Sequence, residues 1–240
     1  MTSAQDSALT MFGAPPPAWS LKRPKALWQS AWDLLGAPLR MIALPDVACE
    51  RLHLTSLRAE RLAMTLPRLK GRLLDIGAGD NMLVKLHRER AAGAQEALAA
   101  NASIGIDVVD WGADCLIVKN CRQLPLDTGT FDTVSFIACL NHIPERRDAM
   151  REAVRVLRPG GQVVVTMIGK LIGDVGHALW WYSEDKHRDI AEGEVMGMNP
   201  GEVERLMRDC GLVDVRRTGF VYGLNHCFVG AKPSGAGARI

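Results

Sequence analysis

The sequence predicts an α/β domain built on a mostly parallel sheet, and three observations predict it. From residue 73 onward, short apolar runs alternate with stretches of helical period, the pattern of βαβ units. The first of those runs ends in a glycine turn, Gly77-Ala78-Gly79, that opens into a helical stretch, as where a strand hands a ligand to a helix N-terminus. At 240 residues the chain is long enough for one substantial core with decorations.

Residues 1–18 are rich in Ser, Ala and Pro and end in Pro15-Pro16-Pro17. They predict a flexible tail, because too little apolar surface is available to offset the ordering entropy. From Pro24 to Leu35 the period becomes helical, with Leu27, Trp28, Ala31 and Leu35 on one stripe that Trp32 widens. Residues 19–70 therefore read as a helical lid whose apolar stripe packs on the domain. With Lys22, Arg23, Lys25 and Arg40 around it, the same helix could instead make peripheral contact with a membrane. A further helix is expected ahead of Pro67, with Leu62 and Leu66 one turn apart.

Residues 71–232 read as the domain proper. Strands are expected over Arg72 to Ile76, Ser103 to Asp107, Cys115 to Val118, Thr133 to Ala138 and Gln162 to Met167. Arg146 to Leu157 reads as a helix with Met150, Val154 and Leu157 toward the sheet. Asn199, Pro200 and Glu202 supply an N-cap, a first-turn proline and a capping-box acid for a helix to Cys210, which Gly211 stops. Val213 to Arg217 and His226 to Ala231, linked by Gly223-Leu224-Asn225, read as a closing hairpin, and 233–240 as a second flexible tail.

The 29 basic and 27 acidic residues leave a net charge of +2. No broad positive field argues for nucleic acid as a partner, and a small or neutral acceptor suits the balance better. The six cysteines are scattered without the spacing of a disulfide scaffold or a metal site, which predicts reduced thiols, no bound metal and a cytoplasmic setting. His53, His87 and His226 are taken as structural. No stretch has the length and apolarity of a membrane span or a leader peptide.

Two ligand classes compete for the turn in LLDIGAGDN, residues 73–81. A dinucleotide fingerprint needs a small third residue where this chain has Met82. The carboxylate of Asp75 would also repel a pyrophosphate, whereas it suits a cationic amino group. Both departures favour S-adenosylmethionine. Ile104-Gly105-Ile106-Asp107 is a second apolar strand ending in an acid, placed to accept hydrogen bonds from ribose hydroxyls. Asn120, ahead of Leu124-Pro125-Leu126 and the Phe131-Asp132 pair, adds an amide near where an adenine would lie.

With Asn141-His142-Ile143-Pro144 and Val156-Leu157-Arg158-Pro159-Gly160-Gly161, the run from Leu73 to Thr166 resembles the class I methyltransferases of the type 11, ubiquinone/menaquinone-methyltransferase-like group. The resemblance implies a Rossmann-like, doubly wound sheet of seven strands with the last antiparallel and helices on both faces. It implies S-adenosylmethionine as cofactor, with Asp75, Gly77 and Gly79 around the methionine part, Asp107 on the ribose, and Asn120 with the Cys121 backbone at the adenine. Asp80, Asn81 and Ala138 flank these positions and His142 borders the cofactor. Asn81 stands where a third glycine is frequent, and Asn120 where Asp is usual.

Residues just beyond the fourth and fifth strands are best placed to meet a methyl acceptor. His142 is the first candidate base if the acceptor is a hydroxyl, against a reading in which it only caps a helix or borders the cofactor. Residues 168–198 form a long substrate-side insertion. There Trp180, Trp181 and Tyr182 could wall an apolar pocket, while His177, Glu184 and His187 could orient or deprotonate the acceptor; the bland alternative is a solvated face over ordinary core aromatics. The expected function is O-, N- or C-methylation of a small-molecule or lipid-like acceptor. Asn141-His142-Ile143-Pro144 differs from the Asn/Asp-Pro-Pro-Tyr/Phe sequence of enzymes that methylate amide or adenine nitrogens, which argues against those acceptors. A non-catalytic S-adenosylmethionine-binding module is the alternative, with a nicotinamide-dependent oxidoreductase further behind.

Overall fold

The computed structural model describes residues 14–170 and 193–235. Seven strands form one sheet in the order β3-β2-β1-β4-β5-β7-β6. They are β1 (Leu73–Ile76), β2 (Ile104–Asp107), β3 (Leu116–Ile117), β4 (Phe131–Ile137), β5 (Leu157–Ile168), β6 (Val213–Phe220) and β7 (Asn225–Ala231). β1 to β5 pair in parallel, and β7 runs antiparallel between β5 and β6. This is the expected doubly wound α/β fold.

Alternation along the strands decides what each face meets. Leu74, Ile76, Val134, Phe136, Val163 and Val165 join α6 (Arg146–Val156) and α7 (Pro200–Asp209) in the largest apolar cluster. Leu73, on the opposite face of β1, joins α3 (Leu57–Thr65) and α4 (Met82–Arg90) in a second cluster with Leu62, Leu66 and Leu83, while α5 (Ala94–Asn101) precedes β2. A parallel sheet covered on both faces is the arrangement such continuous apolar strands require.

Several boundaries moved, each for a local reason. β5 starts at Leu157 instead of Gln162, because Leu157 already pairs with Phe131 before an irregularity resumes the ladder at Thr133 and Gln162. The Phe-Asp pair of the motif has a structural task at that irregularity. Asp132 accepts from the backbone of Arg72 at 2.7 Å and from Arg158 at 2.9 Å, tying the foot of β1 to β5. In α6 it is Ala149, Met150, Ala153 and Val156 that are buried, with Val154 packed at the edge. The capping box before α7 is not made: Asn199 donates to the Glu202 side chain at 3.1 Å, and its own side chain caps no backbone N–H. The hairpin link is Val221–Leu224, with Val221, Tyr222 and Gly223 all at positive φ, and Asn225 already belongs to β7.

The N-terminal helix α1 (Leu27–Leu35) begins three residues after Pro24 and presents the opposite face to the one expected. Its buried residues are Gln29 and Asp33, while Leu27, Trp28, Trp32, Leu34 and Leu35 are exposed. A carboxylate taken out of water needs partners, and they decide which side turns inward. Asp33 accepts from the backbone and hydroxyl of Thr55, both at 2.8 Å, from Gln29 at 3.0 Å and from Lys25. Burial raises the Asp33 carboxyl, but these hydrogen bonds outweigh it and hold the group below the usual range.

Glu60 on α3 is the hub of the same network, paired with Arg23, Lys25 and the buried Arg40. Arg40 in turn bonds the Tyr222 hydroxyl at 3.2 Å and so reaches the β6–β7 turn. α2 (Asp46–Arg51) and α3, capped by Ser56 accepting from Ala59 N–H at 3.0 Å, run from this network toward the sheet. Among the described residues no helix is long and apolar enough to cross a membrane.

Candidate functional site

A cavity of about 690 Å³ opens at the carboxyl ends of β1, β2 and β4, where ligands of open α/β sheets bind. Asp75, at the end of β1, is 3% exposed and points into it. Burial pushes its carboxyl up to about 7, a rise that the Ser135 hydroxyl, donating at 2.6 Å, opposes and that nearby Asp107 and Asp80 reinforce. A buried acid in that state is stabilised by a cation.

The turn that follows is shaped by its neighbours. A Cβ on Gly77, which has a φ of +72°, would lie 2.7 Å from the Cβ of Cys139, so only glycine lets β1 and the end of β4 approach there. Gly79 N–H donates to Asp107 Oδ2 at 2.9 Å, and Val109 N–H to Oδ1 at 3.0 Å. Each carboxylate oxygen of Asp107 keeps a further lone pair that a vicinal diol could engage. Asn120 lines the cavity in a turn, its Oδ1 accepting from Arg122 N–H at 3.0 Å. Val108, Val109 and Trp111 supply apolar surface beside it.

Ala138, at a φ of +55°, also lines the wall, with its N–H held by Thr166 at 3.0 Å. The neighbouring thiols are not nucleophiles at neutral pH. Burial, reinforced by Asp107, pushes Cys121 up to about 11, and Cys139 is raised well above its usual range by burial and then Asp75.

His142 faces the cavity from a short 3₁₀ turn after β4. Its Nδ1 lies 3.2 Å from Glu194, whose side chain is 2% exposed, and its Nε2 lies 3.0 Å from Asn141 Nδ2. The Val195 carbonyl accepts from the same Asn141 nitrogen at 3.0 Å, which orients the amide. Nε2 therefore faces a donor and acts as acceptor, and the imidazole proton resides on Nδ1 toward the Glu194 carboxylate.

The cavity thus gathers Asp75, Gly77, Gly79, Asp80, Asp107, Asn120, Cys121, Ala138 and His142. Two of the expected cofactor residues, Asp80 and Asn81, depart from their expected settings. Asp80 is ion-paired with Arg58 of α3 and accepts from Met82 N–H at 3.2 Å, so it braces the turn. Asn81 is only 1% exposed and lies off the cavity wall. It takes a left-handed φ of +60° in place of glycine, donates to the Asp114 carbonyl at 2.6 Å, and rests its side chain against Gly105. His177, Trp180, Trp181, Tyr182, Glu184 and His187 lie outside the described residues.

Sequence reasoning missed four contributors. Glu194 carries no motif, and only its contact with His142 reveals it. Arg58 and Arg61 line the cavity from α3, three residues apart on one helix face. With them stands Asp46, whose carboxyl burial pushes upward against the pull of Arg61 and Arg58. Their spacing was readable, but not that this face meets the glycine turn. No group of three metal-ligating side chains is assembled among the described residues.

A buried acid that a cation would stabilise, a carboxylate at Asp107 with lone pairs left for a diol, and a glycine cradle too tight for a Cβ are groups that could hold S-adenosylmethionine. Comparison with known proteins agrees. Residues 74–165 match the methyltransferase domain family. The chain is 28% identical over 170 residues to 27-O-demethylrifamycin SV methyltransferase of Amycolatopsis mediterranei, covering 66% of this chain and 60% of that one. It is 25% identical over 146 residues to demethylmenaquinone methyltransferase of Bacillus cytotoxicus, covering 55% and 60%. The chain thus spans about 60% of the length of these two curated relatives. The crystal structure of an S-adenosylmethionine-dependent methyltransferase from Archaeoglobus fulgidus shares the fold, with a TM-score of 0.53, 15% identity, and 72% and 92% of the two chains covered. Residues 74–165 thus match the methyltransferase domain family, and the chain shares the fold of S-adenosylmethionine-dependent methyltransferases, which implies S-adenosylmethionine as cofactor.

Proposed function

We propose that this chain transfers the methyl group of S-adenosylmethionine to a hydroxyl of a small, apolar or amphipathic acceptor. The observation that carries the reading is that one cavity is lined both by carboxylates Asp75 and Asp107 around the glycine turn and by the imidazole of His142 held against Glu194, with Leu62, Ile137, Ile143 and Pro144 also on its wall. The names of the two curated relatives place their own chemistry on demethylrifamycin and demethylmenaquinone, both small molecules.

When bound, the cofactor supplies an electrophilic methyl group on a sulfonium. Asp75 would hold its amino group and Asp107 its ribose. The apolar wall would exclude water and hold the acceptor in line, which alone contributes much of the acceleration. His142 would receive the acceptor proton at Nε2 once the hydroxyl displaces the Asn141 amide, and Glu194 would compensate the imidazolium that forms. The test is His142→Gln. Turnover falls by roughly 10²- to 10⁴-fold while S-adenosylhomocysteine affinity stays within a few-fold; near-full turnover with unchanged affinity would remove the base from the scheme.

A further inference from the structure

The inverted α1 helix is the feature of the molecule that the methyl-transfer site leaves unused. Its exposed side carries Leu27 at 90%, Leu35 at 77%, Trp28 at 62%, Leu34 at 60% and Trp32 at 46% exposure. The surface continues through Leu39 and Ile42, both exposed. Isolated exposed apolar residues need no explanation, but a contiguous patch of this kind marks a contact surface. The inward side of α1 is fixed by Asp33, Gln29, Thr55 and Lys25, so the helix cannot roll to bury its leucines without stripping a buried carboxylate of its partners.

Charge selects the occupant. Asp33, the one carboxylate among residues 14–45, is 1% exposed, so the outer face of this segment is free of negative charge. Lys22 and Arg51 are exposed on either side of it in sequence. Two tryptophans and five leucines or isoleucines, flanked in sequence by Lys22 and Arg51, on an element too short to span a bilayer, have the composition of a helix that lies in a lipid headgroup layer. A docking protein would instead be expected to find polar groups to pair along the rim.

We propose that α1 and the segment through Ile42 dock this protein on an anionic lipid surface. The following elements α2 and α3 carry Asp46, Arg58, Arg61 and Leu62 into the cavity wall, so the docked face is covalently and structurally continuous with one side of the site. The docking does not depend on which acceptor is methylated.

The experiment is co-sedimentation of the full chain with vesicles of phosphatidylcholine alone or mixed equally with phosphatidylglycerol, beside the triple variant Leu27→Ser, Trp28→Ser, Leu35→Ser. These positions are exposed, so the variant should keep its thermal unfolding and S-adenosylhomocysteine affinity, which are read in parallel and report the cofactor site separately. The wild type is expected to pellet with the mixed vesicles, with a blue shift of indole emission and weaker pelleting on phosphatidylcholine alone. The variant should partition about tenfold less or worse. Wild-type protein left in the supernatant, or equal pelleting of the variant, overturns the proposal. So does a concentration-dependent dimer in sedimentation velocity that the variant abolishes while neither protein binds vesicles, because the patch would then be a contact between two copies.

Discussion

Replacing Asp75 with Asn tests the electrostatic logic of the site. In the native fold burial moves this carboxyl from 3.8 to about 7, so between those values the folded protein holds a proton that the unfolded chain has lost. Stability of the cofactor-free protein should therefore fall as pH rises through that window and level off above about 7. At 1.36 kcal/mol per pH unit the full interval amounts to at most ~4 kcal/mol, with little screening for a side chain so deeply enclosed. Asp75→Asn removes the titration, so urea unfolding of the variant and wild type should diverge in the variant's favour between about pH 4 and pH 8. The cofactor should reverse the preference. A lost hydrogen bond to a charged group is worth about 1.5–3 kcal/mol, so S-adenosylhomocysteine should bind the variant roughly 10- to 150-fold more weakly. Calorimetric titration should also show wild-type affinity rising up to about tenfold per pH unit below ~7 and the variant flat over the same range. Equal affinities for the two proteins, or a wild-type affinity insensitive to pH there, would refute the assignment of Asp75 to the amino group.

Other outcomes follow from single contacts. Glu194→Gln should lower turnover toward the level of His142→Gln with cofactor affinity preserved; unaltered turnover would show that the His142–Glu194 contact is only structural. Glu60→Gln leaves Arg40, Lys25 and Arg23 without their shared carboxylate, which should cost about 3–5 kcal/mol in denaturant unfolding, and a loss below about 1 kcal/mol would contradict the hub role. Gly105→Ala brings a Cβ to 2.3 Å from Asn81 Oδ1 and 2.7 Å from the Cβ of Ala78. It should destabilise by roughly 1–3 kcal/mol and weaken cofactor binding; a variant with native melting temperature and affinity would mean that the turn yields more easily than this packing implies.

What could be read from the chain was what local pattern determines. β1, β2, α6 and the glycine turn declare themselves through apolar period and through residues a few positions apart, and their boundaries shifted by a residue or so. The orientation of α1 was invisible because it depends on Asp33 meeting Thr55, twenty-two residues away. A leucine stripe looks like a buried face until a buried acid is found on the other side. Glu194 reaches His142 across fifty-two positions, and no spacing rule connects them. Asn199 and Glu202 had the right identities for a capping box, yet bonded to each other instead of the backbone.

Asn81 and Gly105 bear on how this turn could have changed over time. The bulk missing from the second strand is the room that the asparagine on the first turn occupies, so the two positions are not independently mutable. Glycine at 81 would forfeit the bond to Asp114 but free alanine at 105 from the asparagine, leaving its 2.7 Å approach to the Cβ of Ala78 to be relaxed. Alanine first would meet both neighbours at once. The two orders of substitution start and end at the same sequences, yet only the path through Asn81→Gly avoids the crowded intermediate, and a double-mutant cycle should record that asymmetry as a favourable coupling.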